Sequence, residues 1–400
     1  MKNNRTFLEK LLDGAEVEWK PLGDVCNFQN GFAFKSSLFK DNGAPIVRIT
    51  NIDGKEVNLS DVKYFLLDDY NTDMTPYKVH KGDILIAMSG ATTGKIGFYN
   101  YEHPSYLNQR VGKFLPNTNI LNNRYLYHYL LSKVEDIYII SGGGAQPNLS
   151  SNRLMSEVLI PIPPLSVQTE IVKILDALTA LTSELTSELI LRQKQYEYYR
   201  EKLLSHNDSE NSSQQKVDKD KLFSTSNIQW LHLNEIYKFQ YGIGNKIPTI
   251  GGEYPVYGSN GIVGSHNEYN SEDAPVIGHI GAYAGIVNWA EGKHFVTYNG
   301  IICNKINDNV NSRYAYYLLL SQNFIDKANK ASQPFISYDI LNKCIVPVPP
   351  IEEQQRIVSI LDKFETLTNS ITEGLPLAIE QSQKRYEYYR ELLLNFPGRE

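Results

Sequence analysis

IPIPPLSVQTEIVKILD, from Ile160 to Asp176, recurs as VPVPPIEEQQRIVSILD, from Val346 to Asp362. Downstream of each block stands the same hexapeptide, YEYYRE, from Tyr196 and again from Tyr386. A repeat with a period near half of a 400-residue chain is too long for a solenoid. It predicts two copies of one unit, each a globular domain followed by a helix. Working outward, Trp19, Leu22, Phe28, Gln29 and Gly31 align in order with Trp230, Leu233, Phe239, Gln240 and Gly242. Arg124-Tyr125 aligns with Arg313-Tyr314, and QPNLS from Gln146 with QPFIS from Gln333. Between these fixed points the copies hardly agree: the frame is shared and the contents differ. Glu9-Lys10-Leu11-Leu12 also matches Glu201-Lys202-Leu203-Leu204, so the chain opens with the last turn of a repeat. That order predicts an N-terminal segment, residues 1–15, packed near the C-terminal end of the second helix, giving a pseudo-two-fold molecule.

The first domain is expected over residues 16–158 and the second over 228–344. In each, short β-like runs alternate with Gly and Asn turns, and helical pattern comes late, at NRYLYHYLLSKVEDI and RYAYYLLLSQNFIDKA. The fold class expected is α+β, with two similar domains joined by two long helices that form an antiparallel coiled coil. The helices are placed at 159–206 and 345–396, each after a proline-rich hinge. Apolar residues follow in steps of three and four: Ile171, Ile174, Leu178, Leu181 and Leu185, then Ile357, Ile360, Phe364, Leu367 and Ile371. About 40 residues make a helix of roughly 60 Å. An amphipathic helix of that length needs a partner, and the second copy supplies one. The second helix carries about four more residues around Gly374-Leu375-Pro376-Leu377, and Pro376 is expected to kink or open it. The first contains a tandem TSEL, Thr182 to Leu189, and is followed by a polar stretch, 207–227, expected to be a flexible linker.

Composition narrows the function. Hydrophobic content of 42% and charged content of 21% are those of a globular protein. No apolar run approaches a membrane span, and MKNNRTFLEKLLDG lacks a signal core, so a cytoplasmic protein with no membrane partner is expected. Cys26, Cys303 and Cys344 are scattered and fit buried thiols. A net charge of −6 predicts weak, salt-sensitive binding to nucleic acid by the chain alone.

Catalytic motifs are missing. There is no [DN]-P-P-[YFW], since Pro163-Pro164 and Pro349-Pro350 lack the preceding acid or amide and the following aromatic. SGATTGKIG, from Ser89, is one residue short of a phosphate loop, and Ile96 stands where Ser or Thr would meet magnesium. YGIGNK, from Tyr241, reads as a turn. The histidines occur singly, so no metal and no cofactor is expected in this chain. Base recognition needs polar side chains on loops that enter a groove. The first domain offers Arg48, Asn51, Thr92, Thr93, Lys95, Asn108, Gln109 and Arg110 at strand ends. The second offers Tyr257, Ser259, Asn260, His279, Tyr283 and Asn299. Gly90-Ala91 and Gly281-Ala282 hold equivalent places, as do Gly94 and Gly285, which predicts a shared tight loop with interchangeable tips.

The ensemble resembles the specificity subunits of type I restriction–modification systems over essentially the whole chain. FLEKLLDGAEVEWKPLGDV, the two hinge-and-ILD blocks, the tandem TSEL, and KQYEYYREKLL with KRYEYYRELLL carry the resemblance. It implies two target recognition domains, each reading one half of a split sequence in double-stranded DNA. It implies that the helices space them and help dock two methyltransferase subunits, through which restriction subunits join. It also implies a non-catalytic chain, with methyl transfer and cleavage left to the partners. The rival reading is a coiled-coil scaffold with two protein-binding domains. It explains the helices and the acidic charge but not two frames with such different interiors.

Overall fold

Trp19 lies in a short strand, Glu18–Pro21, that pairs antiparallel with Leu159–Ile162, opposite Pro161. Trp230 lies in Gln229–His232, which pairs antiparallel with Ile345–Val348, opposite Pro347. Each proline-rich segment is therefore one strand of a two-stranded ladder that clips the first and last strands of a domain together. These are features of a computed structural model, which describes residues 6–143, 147–205, 228–244, 251–329 and 332–396. The expected linker, 207–227, lies outside the described residues, as do Gln146 and the end of YGIGNK.

The chain forms two units, Met1–Leu185 with Ile379–Glu400, and Thr186–Ala378. Both follow one plan. After the clip comes a single helical turn, Leu22–Val25 or Leu233–Ile236, then a strand, Cys26–Asn30 or Tyr237–Tyr241. Gly31 and Gly242 end those strands where the backbone passes a neighbouring chain. A Cβ would sit 1.9 Å from the Asn108 carbonyl oxygen at the first and 2.1 Å from that of Thr297 at the second. Any side chain there would force the strands apart, which is why both copies carry glycine.

The first unit builds two four-stranded sheets. One runs in the order 26–30, 111–116, 84–87, 96–98, and the other 63–65, 44–47, 105–107, 78–79. The second unit joins its strands into one six-stranded sheet, 237–241, 300–305, 271–278, 287–296, 254–258, 261–266. The late helices form at Asn123–Ser132 and Ser312–Ser321, with Asn122 and Asn311 each accepting from the second and third amides of its helix.

The first long helix runs unbroken from Leu165 to Leu204, 40 residues. The second does not run through. It is two helices, Ile351–Asn369 and Gly374–Leu394. The expected kink at Pro376 is corrected to a break four residues earlier. Ser370 closes the first piece, its hydroxyl accepting from the amides of Thr372 and Glu373 at 3.3 and 3.2 Å. Gly374, at φ +81°, starts the second. Proline is tolerated in a first helical turn, where its missing amide has no partner to lose, so the helix restarts just before Pro376. Ile371 falls in the break and is 80% exposed, so it leaves the expected apolar stripe.

Each unit packs the start of one long helix against the end of the other. In the first, Ile171 and Leu175 share a core with Leu393, Leu394 and Phe396, and Leu8 from the helix Phe7–Leu12 joins them. Toward the other end of that contact, the Thr182 and Ser382 hydroxyls are 2.8 Å apart, so the two segments run antiparallel. In the second unit, Leu203 and Leu204 share a core with Ile357 and Leu361, and Tyr199 stacks on Phe364 at 5.8 Å. Those segments are antiparallel too.

Candidate functional site

Three loops converge at one edge of each unit, and backbone bonds fix them in the same way. In the first unit the Asn108 amide donates to the Val47 carbonyl at 3.0 Å, and Met88 to Arg110 at 2.8 Å. In the second, Thr297 donates to Tyr257 at 3.0 Å and His279 to Asn299 at 2.8 Å. The glycine loop closes by Gly94 to Ala87 at 2.9 Å, and by Gly285 to Gly278 at 2.8 Å. The QPxxS segment braces its tip: Gly90 donates to Pro147 at 3.1 Å, and Gly281 to Pro334 at 2.8 Å. Gly90, Gly94, Gly281 and Gly285 all hold φ between +80° and +95°, so the repeated glycines answer a backbone demand. Residues 48–51, 88–95 and 108–110 are thus the counterparts of 258–261, 279–286 and 297–299.

The side chains on this shared frame divide in two. Thr50, Ala91, Gln109 and Arg110 are exposed in the first unit, and Lys95 and Asn108 half-buried. Arg48 is half-buried, with its guanidinium 3.8 Å from the Asp61 carboxylate. The Thr92 hydroxyl is buried with no protein partner. Asn51 and Thr93, expected among the groove-facing side chains, bond within the loops. The Asn51 amide group donates to the carbonyls of Asn58 and Asp61 at 2.9 and 2.8 Å and accepts from the Arg48 amide at 2.9 Å, which uses both of its donors. Thr93 donates to the Gly90 carbonyl at 2.7 Å and is buried.

In the second unit Asn260 and Tyr283 are exposed and Asn299 is half-buried. Ser259 donates to the Ile280 carbonyl at 2.8 Å. Tyr257 is buried. His279 is buried too, its Nδ1 3.0 Å from the Tyr298 carbonyl and its ring 4.3 Å from that of Tyr241, so it holds the loop. Tyr298, beside Asn299 in the sequence, stands exposed, and so do Ile243, Ile262 and Val263, which the sequence reading did not single out. Their signal was exposure of apolar residues beside glycine turns, which a hydrophobic pattern reads as core.

A second constellation explains the repeated blocks. Gln168 is fully buried. Its amide nitrogen donates to the Pro163 and Ile120 carbonyls at 2.8 and 2.9 Å, and its oxygen accepts from the Asn122 amide at 2.8 Å. Gln354 makes the same three bonds, to Pro349 at 2.8 Å, Asn309 at 3.1 Å and Asn311 at 2.7 Å. Tyr125 and Tyr314 each donate to a hinge carbonyl, Pro161 or Pro347, at 3.0 Å. Arg124 pairs with Asp176, and Arg313 with Asp362 and Glu365. The frame of the repeat is the joint between a domain and its helix.

Among the described residues no cluster of His, Cys, Asp or Glu could hold a metal ion. No helix there is long and apolar enough to cross a membrane. The three cysteines are buried, and burial pushes the Cys26 thiol up to about 12.

One loop-bearing α+β frame, present twice and holding different side chains at its tips, defines a two-domain recognition protein. A family model described as the type I restriction modification DNA specificity domain matches residues 15–195 and 233–381. A putative type I restriction enzyme specificity subunit of Haemophilus influenzae is 40% identical, over 99% of this chain and 100% of its own length. The EcoR124I/EcoR124II specificity subunit of Escherichia coli is 33% identical over 98% of this chain and 97% of its own. The crystal structure of a type I restriction–modification S subunit from M. genitalium shares the fold at a TM-score of 0.61 and 18% identity, covering 96% of this chain and 98% of that one. The chain belongs to the type I restriction–modification DNA specificity family and carries the family's domain in two copies.

Proposed function

We propose that the loop-bearing edge of each unit reads one half of a split sequence in double-stranded DNA. The observation that carries this is the pairing of one backbone frame with two different sets of tips. In the first unit the reading side chains are Arg48, Thr92, Lys95, Asn108, Gln109 and Arg110, and in the second Asn260, Tyr283 and Asn299, with Tyr257 and Ser259 supporting them from behind. Asn51, Thr93 and His279 shape the loops. A groove-entering loop positioned by a rigid sheet is the arrangement that direct readout requires. Exchanging residues 16–158 for those of a relative tests it: methylome mapping should then show one half of the recognised sequence changed and the other kept. A change in both halves overturns the two-reader arrangement, and no change at all favours protein-binding domains.

The partners follow from the repeated helix face. Tyr198 and Tyr388 occupy the same place in the two YEYYRE tracts and are 57% and 62% exposed, so intramolecular packing does not account for their identity. The same surface shown twice suits two copies of one partner, and we assign it to two methyltransferase subunits, with restriction subunits joining through them. Methyl transfer and DNA cleavage are then the partners' chemistry, this chain is a non-catalytic subunit, and the complex works on DNA in the cytoplasm.

A further inference from the structure

The two reading edges differ in chemical character at equivalent positions. Segments 48–51, 88–95 and 108–110 carry three cations, Arg48, Lys95 and Arg110. Their counterparts 258–261, 279–286 and 297–299 carry none. Lys95 is replaced by Ile286, Arg110 by Asn299 and Arg48 by Gly258. Within these segments Tyr283 and Tyr298 project, and apolar residues stand exposed next to them in the chain. Tyr283 is 51% exposed and Tyr298 44%, with Ile243, Ile262 and Val263 at 59, 63 and 46%. Backbone contacts bring the segments that carry them close to one another. The Tyr298 amide donates to Gly244 at 2.9 Å, beside Ile243. A Cβ at Gly258 would meet Val263 at 3.3 Å, and one at Gly278 would lie 2.4 Å from the Tyr283 carbonyl and 2.6 Å from that of Ser259.

Base edges in the major groove offer two kinds of contact. Guanine and adenine present acceptors that suit Arg, Lys, Asn and Gln, and thymine presents a C5 methyl group that suits apolar side chains. Segments without Lys or Arg contribute little to phosphate contact, whereas exposed isoleucine, valine and tyrosine can meet a methyl group. Resting on the assignment of both edges to DNA, we infer that the second unit recognises its half-site through thymine methyl groups, using Tyr283, Tyr298, Ile243, Ile262 and Val263. The first unit reads its half through hydrogen-bond acceptors. The half-site of residues 228–344 is therefore rich in A·T pairs.

The probe is a duplex carrying the mapped recognition sequence, with deoxyuridine replacing thymidine on both strands of one half at a time. Uracil keeps every hydrogen-bonding group of thymine and removes only the methyl. Equilibrium binding is measured with this chain assembled with its methyltransferase subunits. Uridine in the second unit's half should weaken binding about fourfold for each methyl contacted. Uridine in the first unit's half should change it by less than about twofold. The double variant Tyr283→Ala, Ile262→Asn should narrow the difference between the thymidine and uridine duplexes. Equal binding of both duplexes by the unaltered complex overturns the inference, as does a second half-site without A·T pairs. A variant that loses its methyltransferase subunits while the unaltered complex ignores uridine would mark the edge as a protein-docking surface. None of these outcomes depends on the domain exchange that tests the two-reader arrangement.

Discussion

His128 faces Asp176 across the joint of the first unit, its Nε2 2.8 Å from the carboxylate, while Nδ1 lies 3.0 Å from the Tyr386 hydroxyl. The geometry fits a neutral ring that donates to Asp176 and accepts from Tyr386. At the equivalent place in the second unit stands Tyr317, whose hydroxyl lies 2.5 Å from Asp362 and 2.8 Å from Glu365 and has one proton to share between them. One joint therefore holds an imidazole where the other holds a phenol.

Burial holds the His128 imidazole below its ordinary value of 6.5, against the opposing pull of Asp176. Below that ordinary value the unfolded chain binds a proton that the folded chain refuses, so stability falls as pH falls from about 6.5. One proton sets a ceiling of about 1.4 kcal/mol per pH unit on the slope. Denaturation between pH 5 and 7 should show this loss, and His128→Gln, which keeps a donor for Asp176 but does not titrate, should flatten it. Burial pushes the Asp176 carboxyl up, but bonds from His128 and Arg124 outweigh it and bring it to about 2. A second loss should therefore appear as pH falls below about 4.

Gln168→Leu and Gln354→Leu should each cost about 2–4 kcal/mol, because each strands buried carbonyls and an amide without partners. Chemical denaturation of the full chain measures both. Similar losses from two sites in different units would show that the joints are energetic equivalents. A loss under about 1 kcal/mol at either would mean that water replaces the glutamine there.

Removing one TSEL from the first long helix shortens it by four residues, or roughly 6 Å. If that helix sets the separation of the half-sites, the gap in the methylated sequence should shrink by one or two base pairs at about 3.4 Å each. Four residues keep the apolar face nearly in phase, so the variant should fold. A two-residue deletion turns the face by about 200° and should unfold the contact. Unchanged spacing in a fully active deletion would show that the helix is no ruler.

Tyr198→Ala and Tyr388→Ala should leave thermal stability nearly unchanged, because both rings are largely in solvent. Each should weaken assembly with the methyltransferase subunit by roughly tenfold or more if the ring anchors that interface. Size-exclusion chromatography with light scattering would show the single variants binding one partner and the double variant binding none. Full assembly of the double variant would move the docking surface elsewhere.

The duplication was legible because identical bonds demand identical residues. Trp19 and Trp230 mark the clip, Gly31 and Gly242 the close approach, and the two ILD blocks supply Asp176 and Asp362 to matching arginines. The role of Gln168 and Gln354 was hidden, since glutamine is ordinarily a surface residue and nothing in its spacing says that it is buried. Pro376 announced a disturbance in the second helix but not its place, because proline begins a helix as readily as it breaks one. At the loops, residues that shape turns and residues that touch bases are the same types, so the sequence does not separate Asn51 and Thr93 from their neighbours. Which of them folds back on its own carbonyls is decided by bond geometry.

The core of the first unit includes Leu393, Leu394 and Phe396 beside Leu8 and Ile171. On the ribosome, the first domain and its helix emerge roughly 190 residues before those three side chains exist. At about 5–20 residues per second the nascent chain waits for some 10–40 s with Ile171 and Leu175 uncovered. Over that interval this part of the core stays open to water, and the first unit closes only once the residues around Leu393 have been made.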